Sequence, residues 1–441
     1  MNELVSLYAE HLATVRQHSD AALEATGRDT LAIAAGRPAP KFLDDQDFPY
    51  AAHPHFKHWV PLTDAPGSWI IYTPGEKPRL LFMQPQDFWH PVPEAPSGYW
   101  VDHFDIVPVR NVEELADQLP KDPARCAIIG QAQDAVDRFV PDNPQAALDY
   151  LHYHRAWKTP YEVALMREAN RTAARAHKAA ETAFRAGESE FGIHMAYLHS
   201  ALQLDAELPY HSIIALNTHG AVLHYDHFDR QPPAQSLTML IDAGATYAGY
   251  ASDITRTWAN PEADEFQALI DAMDANQREL CSRVTQGQGY GELHMHAHHL
   301  AATLLKEHDF LRMSPEEAVA SHVTNTFFPH GLGHLIGAQV HDVGGFQKGP
   351  DGGTIDQPEG QPFLRLTRTL EPGMAVTIEP GLYFIDMLLE KLKATPEGRH
   401  VNWSKVDAFR KYGGIRIEDD VVCTDDAPEN LTRDAFGGAR G

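Results

Sequence analysis

The residues best suited to chemistry begin with two aspartates, Asp242 and Asp253, at the ends of a glycine-containing turn. Leu237, Met239, Leu240 and Ile241 read as a buried strand and Ile254 to Trp258 as a second, with Gly244 and Gly249 where the chain reverses. The spacing predicts a hairpin in which the aspartates face each other across an antiparallel pair, with β-carbons about 5 Å apart. Two carboxylates that close in a dry site repel, so a cation lies between them or one keeps a proton. An aspartate beside glycine is more often a solvated turn residue, so the pair gains meaning only from the histidines and glutamates further along the chain.

Three histidines fall within twelve positions downstream, in Phe328-Pro-His330-Gly-Leu-Gly-His334 and Val340-His341-Asp-Val-Gly-Gly345. Glycines beside the imidazoles remove side-chain bulk and would let a metal or substrate approach the backbone. Two glutamates complete the series: Glu379 after Ala375-Val-Thr-Ile and Glu418 after Gly414-Ile-Arg-Ile. Their alternate neighbours are apolar, so both carboxylates point inward, where they need a partner or a metal. Together Asp242, Asp253, His334, Glu379 and Glu418 make a five-ligand set. A further group, His294, His296, His298 and His299, lies on a helical stretch; only residues four apart share a face, so it reads as a polar helix face rather than a ligand set.

The elements that must hold these residues divide into two halves. A chain of 441 residues exceeds a usual single core, which predicts two domains. An amphipathic helix, Met1–Gly27, precedes strand-like runs at Thr30–Ala35, Trp69–Thr73, Leu80–Met83, Ile106–Val109 and Cys126–Gly130, with an acidic helical stretch at Val112–Leu119. This alternation predicts an α/β domain over residues 1–158. Its irregular stretch Phe42–Leu62, rich in aromatic, His, Asp and Pro residues, has the length of a functional loop. Thr159, Pro160 and Glu162 form a capping-box signature, so a second domain is placed at 159–441, starting with a helix that Gly187 ends.

Composition narrows the class. The formal net charge of −25, without basic patches, argues against a nucleic-acid partner. No stretch approaches the roughly 20 apolar residues that cross a bilayer, and the amino terminus has no secretory pattern. Cys126, Cys281 and Cys423 are widely spaced and read as buried free thiols in a reducing cytoplasm.

The ordered set of five ligands, each in its motif, resembles the metal-dependent pita-bread peptidases, the creatinase/aminopeptidase-like group that includes methionine aminopeptidase, aminopeptidase P and prolidase. The longer strings Tyr250-Ala-Ser-Asp-Ile-Thr-Arg-Thr and Val340-His-Asp-Val-Gly-Gly resemble most the bacterial prolidase (Xaa-Pro dipeptidase) and organophosphorus acid anhydrolase branch, as do Phe42-Leu-Asp-Asp and Phe88-Trp-His-Pro in the amino-terminal half. The resemblance implies an α/β amino-terminal domain joined to an α+β pita-bread catalytic domain, assembled as a homodimer. It also implies two divalent ions, with Asp253 and His334 on one, Asp242 on the other, and Glu379 and Glu418 serving one or both. Such a hard set suits Mn²⁺ or Co²⁺ and tolerates Zn²⁺. A water bridging the ions would become the attacking hydroxide.

By the same resemblance Glu379 moves the proton of that water, His341 or His330 stabilises the oxyanion, and His224, His330 and His341 line the pocket. Arg416, with Arg365 as a second candidate, would bind the free carboxylate of an Xaa-Pro dipeptide. Tyr210, Tyr290 and Leu364 would wall the pocket, and Asp45 would reach a partner subunit's site to meet the substrate ammonium. Phosphotriester hydrolysis is an implied side activity. The alternatives are an aminopeptidase P acting on longer Xaa-Pro peptides and a metal-free binding protein on the same fold.

Overall fold

Tyr8, His11, Leu12, Val15, Ser19, Ala22 and Leu23 recur at helical spacing and are all buried; they form the inner face of α1 (Asn2–Thr26). The computed structural model describes residues 2–438, with side chains from residue 4 onward. It divides into two compact units, one formed by the chain up to Leu165 with Tyr247–Tyr250 and Gln347–Gly353, the other by the remainder.

In the first unit, β1 (Thr30–Ala34), β2 (Trp69–Tyr72), β3 (Arg79–Met83), β4 (Asp105–Val109) and β5 (Cys126–Ile129) form one sheet in the order β4-β3-β2-β1-β5. Pairs β1–β2 and β2–β3 are antiparallel, while β1–β5 and β3–β4 are parallel. β2 and β5 are buried along their whole length, which is why they read as unbroken apolar runs. Helices α2 (Pro54–Trp59), α3 (Val112–Gln118) and α4 (Gln145–His154) complete this unit.

The second unit is entered through α5 (Pro160–Arg185), followed by α6 (Glu190–Ala201). Strands β6 (Ile213–Leu216), β7 (Thr238–Asp242) and β10 (Thr255–Ala259) form an antiparallel sheet in the order β10-β7-β6, with the short pair β8 (Thr246–Tyr247) and β9 (Tyr250–Ala251) at the hairpin tip. Helices α7 (Asp264–Ser282) and α8 (Tyr290–Glu307) come next; the small strands β11 (Gln347–Gly349) and β12 (Gly352–Thr354) that follow in the chain fall in the segment counted with the first unit, except Thr354. Two further sheets close the unit: β13 (Ala375–Ile378) with β16 (Asp419–Val422) and β17 (Glu429–Asn430), and β14 (Gly381–Tyr383) with β15 (Gly414–Arg416). Phe266, Phe310, Phe384, Phe409 and Tyr412 belong to an extended apolar cluster in the second unit.

Two expectations are corrected here. Asp242 pairs with Thr255, not with Asp253. The reversal centres on Ala248 and Gly249, both at positive φ (48° and 88°), a two-residue turn whose twist matches the strands; it sets the register two residues beyond a face-to-face pair. Asp253 therefore precedes β10. Alternation still leaves it on the face of Thr255 and Asp242, as a diagonal neighbour. Along α8, His294 and His298 are fully buried rather than part of a polar face: they pair with Gln361 Oε1 at 3.0 Å and Thr324 Oγ1 at 2.9 Å. His296 and His299 turn outward toward Glu279 and Glu316.

The start of α5 carries the expected capping box: Thr159 N–H donates to Glu162 Oε2 at 2.8 Å and Glu162 N–H to Thr159 Oγ1 at 3.4 Å. His11 joins it, with Nδ1 2.8 Å from Thr159 Oγ1 and Nε2 2.8 Å from the His58 carbonyl. Burial holds His11 down to about 4, although Glu162 pulls the other way. Glu162 is pushed up by burial, yet His58, His11 and Lys158 hold it below its ordinary value. Both folded-state values lie below the unfolded ones, so the stability they contribute is present at neutral pH and is lost on acidification, for His11 between pH 6.5 and about 4. The expected outcome is a melting temperature that falls across that window, with His11 accounting for up to about 3 kcal/mol. In His11→Gln the fall over the same window should be shallower, as thermal melts at stepped pH would show.

Candidate active site

Four strand ends and one loop converge in the second unit. Asp242 closes β7, Asp253 precedes β10, Glu379 follows β13 and Glu418 lies between β15 and β16. His334 comes from a segment that runs beside β13. His334 N–H donates to Thr377 Oγ1 at 3.1 Å, Thr377 N–H to the His334 carbonyl at 2.9 Å, and Glu379 N–H to the Leu332 carbonyl at 2.8 Å.

That close pairing explains the glycines. A β-carbon on Gly333 would lie 2.2 Å from the Thr377 carbonyl oxygen, and one on Gly331 2.8 Å from that of Phe363. The space is taken by the protein's own backbone rather than left for a metal or substrate, which corrects the sequence expectation. Gly345 is similar, with the Arg365 carbonyl oxygen 2.5 Å from where its β-carbon would stand.

The side chains gather tightly. Ligand atoms of Asp253, His334 and Glu418 all lie within 4.8 Å of one another. His334 Nε2 is 3.4 Å from Asp253 Oδ2 and 3.9 Å from Glu379 Oε1. Its Nδ1 meets the Leu335 carbonyl at 3.0 Å, which places a proton there and turns Nε2 toward the carboxylates. Thr255 Oγ1 donates to Glu418 Oε2 at 2.6 Å, and Asp420 Oδ2 accepts from the Asp253 N–H at 3.1 Å. Arg416 Nη2 donates to Asp242 Oδ2 at 2.7 Å. Asp242 Oδ1 is buried with no hydrogen-bond partner, as is the Tyr210 hydroxyl.

Crowding sets the charges. Burial raises Asp242, Glu379 (to about 7) and Glu418, and the neighbouring carboxylates push each further, against the pull of Arg416. Burial also opposes ionisation of Asp253, but its hydrogen bond to His334 outweighs this and holds it low; His334 is correspondingly raised. Burial, then the charges of Asp242, Asp253 and Glu418, raise the Tyr210 phenol. Four carboxylates, one imidazole with Nε2 inward and an orphaned carboxylate oxygen form a donor set that fits divalent cations.

The remaining expected residues fall into three groups. His341 stacks edge to face on His334, with ring centroids 4.5 Å apart, and burial with the charges of His334 and Arg365 lowers it to about 4. His224 is exposed and close enough to add to the same effect on His330 and His341. Arg365 is exposed. Others are spent inside the protein. His330, lowered to about 3 by burial and Arg416, has Nδ1 on the Gly331 carbonyl and Nε2 on Tyr383 Oη, each at 2.8 Å. Tyr290 donates its hydroxyl to the Thr377 carbonyl at 2.6 Å and is fully buried, so it supports the His334 segment from below instead of walling a pocket. Leu364 is likewise buried, against Gly331.

Arg416 is corrected most clearly. Its Nη2, Nη1 and Nε are engaged by Asp242, Tyr383 Oη (2.8 Å) and Thr255 Oγ1 (3.2 Å), and it is 4% exposed. No fork is left for a substrate carboxylate. Asp45 belongs to the first unit, where it is exposed and its N–H donates to Asp44 Oδ1 at 2.8 Å. Sequence reasoning missed Tyr383, Thr255 and Asp420. Thr255 carried a usable signal, two places after Asp253 on one strand face; the other two carried none.

Residues 6–153 match the family model described as Xaa-Pro dipeptidase, N-terminal domain, and residues 164–425 that of metallopeptidase family M24. The chain is 55% identical over 436 residues to the Xaa-Pro dipeptidase of Xanthomonas euvesicatoria pv. vesicatoria, covering 99% of each. It is 52% identical over 436 residues to that of Stenotrophomonas maltophilia, covering 99% of this chain and 98% of the relative. Aminopeptidase P from E. coli, solved with the inhibitor Pro-Leu, matches with a TM-score of 0.72 at 22% identity, covering 97% of this chain and 99% of the other. These matches bear out the expected fold class, an α/β amino-terminal domain with a pita-bread catalytic domain.

Cation binding requires ionised carboxylates. Glu379 sits at about 7 in the folded cation-free protein, against about 4.5 unfolded, so its protonated form contributes stability below the lower value that is lost as pH rises through the upper one. Bound cation removes that loss. The rise in melting temperature that Mn²⁺ confers on chelator-treated protein should therefore grow from pH 5 to pH 7.5, with apparent affinity rising by up to about tenfold per pH unit for each proton displaced. A pH-independent Mn²⁺ stabilisation would contradict it.

Proposed function

This chain belongs to metallopeptidase family M24 and is an enzyme of that family, and on that premise we propose that it hydrolyses the imide bond of Xaa-Pro dipeptides with a free carboxyl terminus. In this reading Asp242, Asp253, His334, Glu379 and Glu418 hold two divalent ions, Mn²⁺ first with Co²⁺ or Zn²⁺ as alternatives, and residues 159–441 form the catalytic domain beside an α/β domain at 1–158. The observation that supports a dipeptide is Arg365: exposed, without an ion pair among the described residues, and near enough to His341 to lower it. A guanidinium free to fork onto a carboxylate suits the prolyl end of a two-residue substrate. It takes the place first given to Arg416.

When bound, the metal pair supplies Lewis acidity at the scissile carbonyl and a water of lowered pKa. Glu379, whose Oε1 lies 3.9 Å from His334 Nε2, would carry a proton from that water to the departing prolyl nitrogen. His341, neutral at pH 7, has a ring N–H to offer the oxyanion. His330 has both nitrogens occupied and holds Tyr383 instead. Arg416 and Tyr383 fix Asp242 and His330 relative to each other, while Tyr210 and His224 border the substrate. The same centre would accept a tetrahedral phosphorus ester as a side substrate. Buried free thiols at Cys126, Cys281 and Cys423 fit a cytoplasmic setting, and among the described residues no helix is long and apolar enough to cross a membrane.

Hydrolysis of Leu-Pro and of a Leu-Pro-Xaa tripeptide, with and without Mn²⁺, tests the reading. Cleavage of the dipeptide alone, metal-dependent and lost in Asp253→Asn, is expected, together with turnover of a fluorophosphate by the same preparation. Arg365→Ala should raise KM for Leu-Pro by about tenfold or more, the worth of a charged hydrogen-bonded contact. Efficient tripeptide cleavage would move the assignment to an aminopeptidase P; failure to bind metal or cleave either peptide would leave a binding protein.

The homodimer reading rests on two loop tips of the first unit. Phe42 and Leu43 are 91% and 90% exposed, and Phe88 and Trp89, with ring centroids 4.6 Å apart, are 86% and 76% exposed. Large apolar side chains so exposed are usually covered by a partner, and in the proposed dimer Asp45, beside the first pair in sequence, would meet the partner's substrate ammonium. Sedimentation should give a dimer, and Phe42→Asp with Trp89→Asp a monomer of reduced activity; a monomeric wild type would end this reading.

A further inference from the structure

Glu190 opens α6, after Ser189, whose Oγ accepts the Gly192 N–H. Its carboxylate is 1% exposed and is met by four groups from one stretch of chain. The Leu216 N–H donates to Oε1 at 2.9 Å, where His219 Nδ1 also lies at 2.7 Å. The Tyr225 hydroxyl and the Asp229 N–H both donate to Oε2, each at 2.8 Å. The His219 ring stacks on Tyr225 at 4.6 Å, and Phe191 N–H donates back to the Asp229 carbonyl at 3.1 Å.

The stretch from Leu216 to Asp229 has little regular structure of its own, a 3-10 turn at Asn217–Ala221. One buried carboxylate thus ties it at both ends and twice between. His224 sits between the ties at His219 and Tyr225, exposed, and its neighbours Leu223 and Tyr225 pack against the apolar cluster that holds Tyr383, the residue hydrogen-bonded to both His330 and Arg416. Glu190, His219 and Asp229 also bring ligand atoms within 4.8 Å of one another. A cation there would have to displace two backbone N–H groups and a phenol that already fill the carboxylate, so the group is an anchor rather than a metal site.

We infer that Glu190 is a positioning residue for substrate binding: it fixes the 216–229 stretch so that His224 stands over the metal centre. The inference rests on the substrate-facing reading of His224. Glutamine is isosteric but puts an amide nitrogen where one carboxylate oxygen was. The Tyr225 hydroxyl can turn and accept from it; a backbone N–H cannot, and is left facing another donor.

The test uses the full-length, Mn²⁺-loaded protein. In Glu190→Gln, amide hydrogen exchange over residues 216–229 should accelerate while β7 is unchanged, metal stoichiometry should hold, and KM for Leu-Pro should rise by about tenfold with kcat changed less. Tyr225→Phe, which removes one hydroxyl and keeps the stacked ring, should move in the same direction by a smaller factor and guards against a folding failure in the first variant. Combining Glu190→Gln with His224→Ala should add nothing to the KM effect of His224→Ala alone. Unchanged exchange, or effects that multiply, would overturn the inference. Faster exchange in Glu190→Gln with KM unmoved by His224→Ala would uphold the anchor and overturn the substrate role of His224.

Discussion

The constraint on which the catalytic unit depends is the confinement of four carboxylates, Asp242, Asp253, Glu379 and Glu418, to one buried place. Like charges at such range are costly in a low-dielectric interior. The chain answers with few compensating groups of its own. Arg416 takes one oxygen of Asp242 and leaves the other without a partner. Thr255 gives Glu418 a single neutral hydrogen bond, and His334 is shared between Asp253 and Glu379. Each device orients a carboxylate without fully satisfying it, and the deficit is one that divalent cations would make good.

Holding such a cluster together requires that its members come from elements fixed independently of it. β7 and β10 pair over five residues, and β13 pairs with β16 over four. The bridges Thr255–Glu418 and Leu335–Val376 then lock the three sheet pieces and the His334 segment to one another. Gly333 allows the backbone approach to β13 that the last bridge demands. Side chains behind the ligands complete the arrangement. Asp420 holds the Asp253 amide while being held by Asn170 at 2.8 Å, and Tyr383 joins His330 to Arg416. Strain or looseness in any one of these would be felt at the ligands as a shift in distance, because close-packed interiors transmit displacement.

The sequence disclosed residue types and order far better than it disclosed register and side-chain engagement. The five carboxylate and imidazole positions stood out because inward-pointing acids beside glycine-rich histidines have few other uses, and the strands of the first unit stood out because buried runs are apolar along their length. What stayed hidden depends on long-range geometry. The centre of the Asp242–Asp253 reversal was set by Ala248 adopting positive φ, which composition does not favour. Arg416 looked like a free anchor because nothing local shows that Tyr383, Thr255 and Asp242 converge on it. His294 and His298 looked like surface because their partners, Gln361 and Thr324, lie 67 and 26 residues away.

Two layers therefore carry different parts of the chemistry. The supports behind the ligands, Arg416, Tyr383 and Thr255, are taken up by one another and by the carboxylates, so they have little capacity left to distinguish one substrate from the next. Groups with unsatisfied hydrogen-bonding capacity lie further out: Arg365, His341 and His224, all exposed. Specificity arises where binding energy can differ between substrates, and in the proposed reading it would fall to these three. Two of them are set by backbone features rather than by side-chain packing, Arg365 by the close approach of its carbonyl to Gly345 and His224 by the ties of its stretch to Glu190. A buried glutamate remote from the metal ligands can thus govern which peptides are held long enough to react.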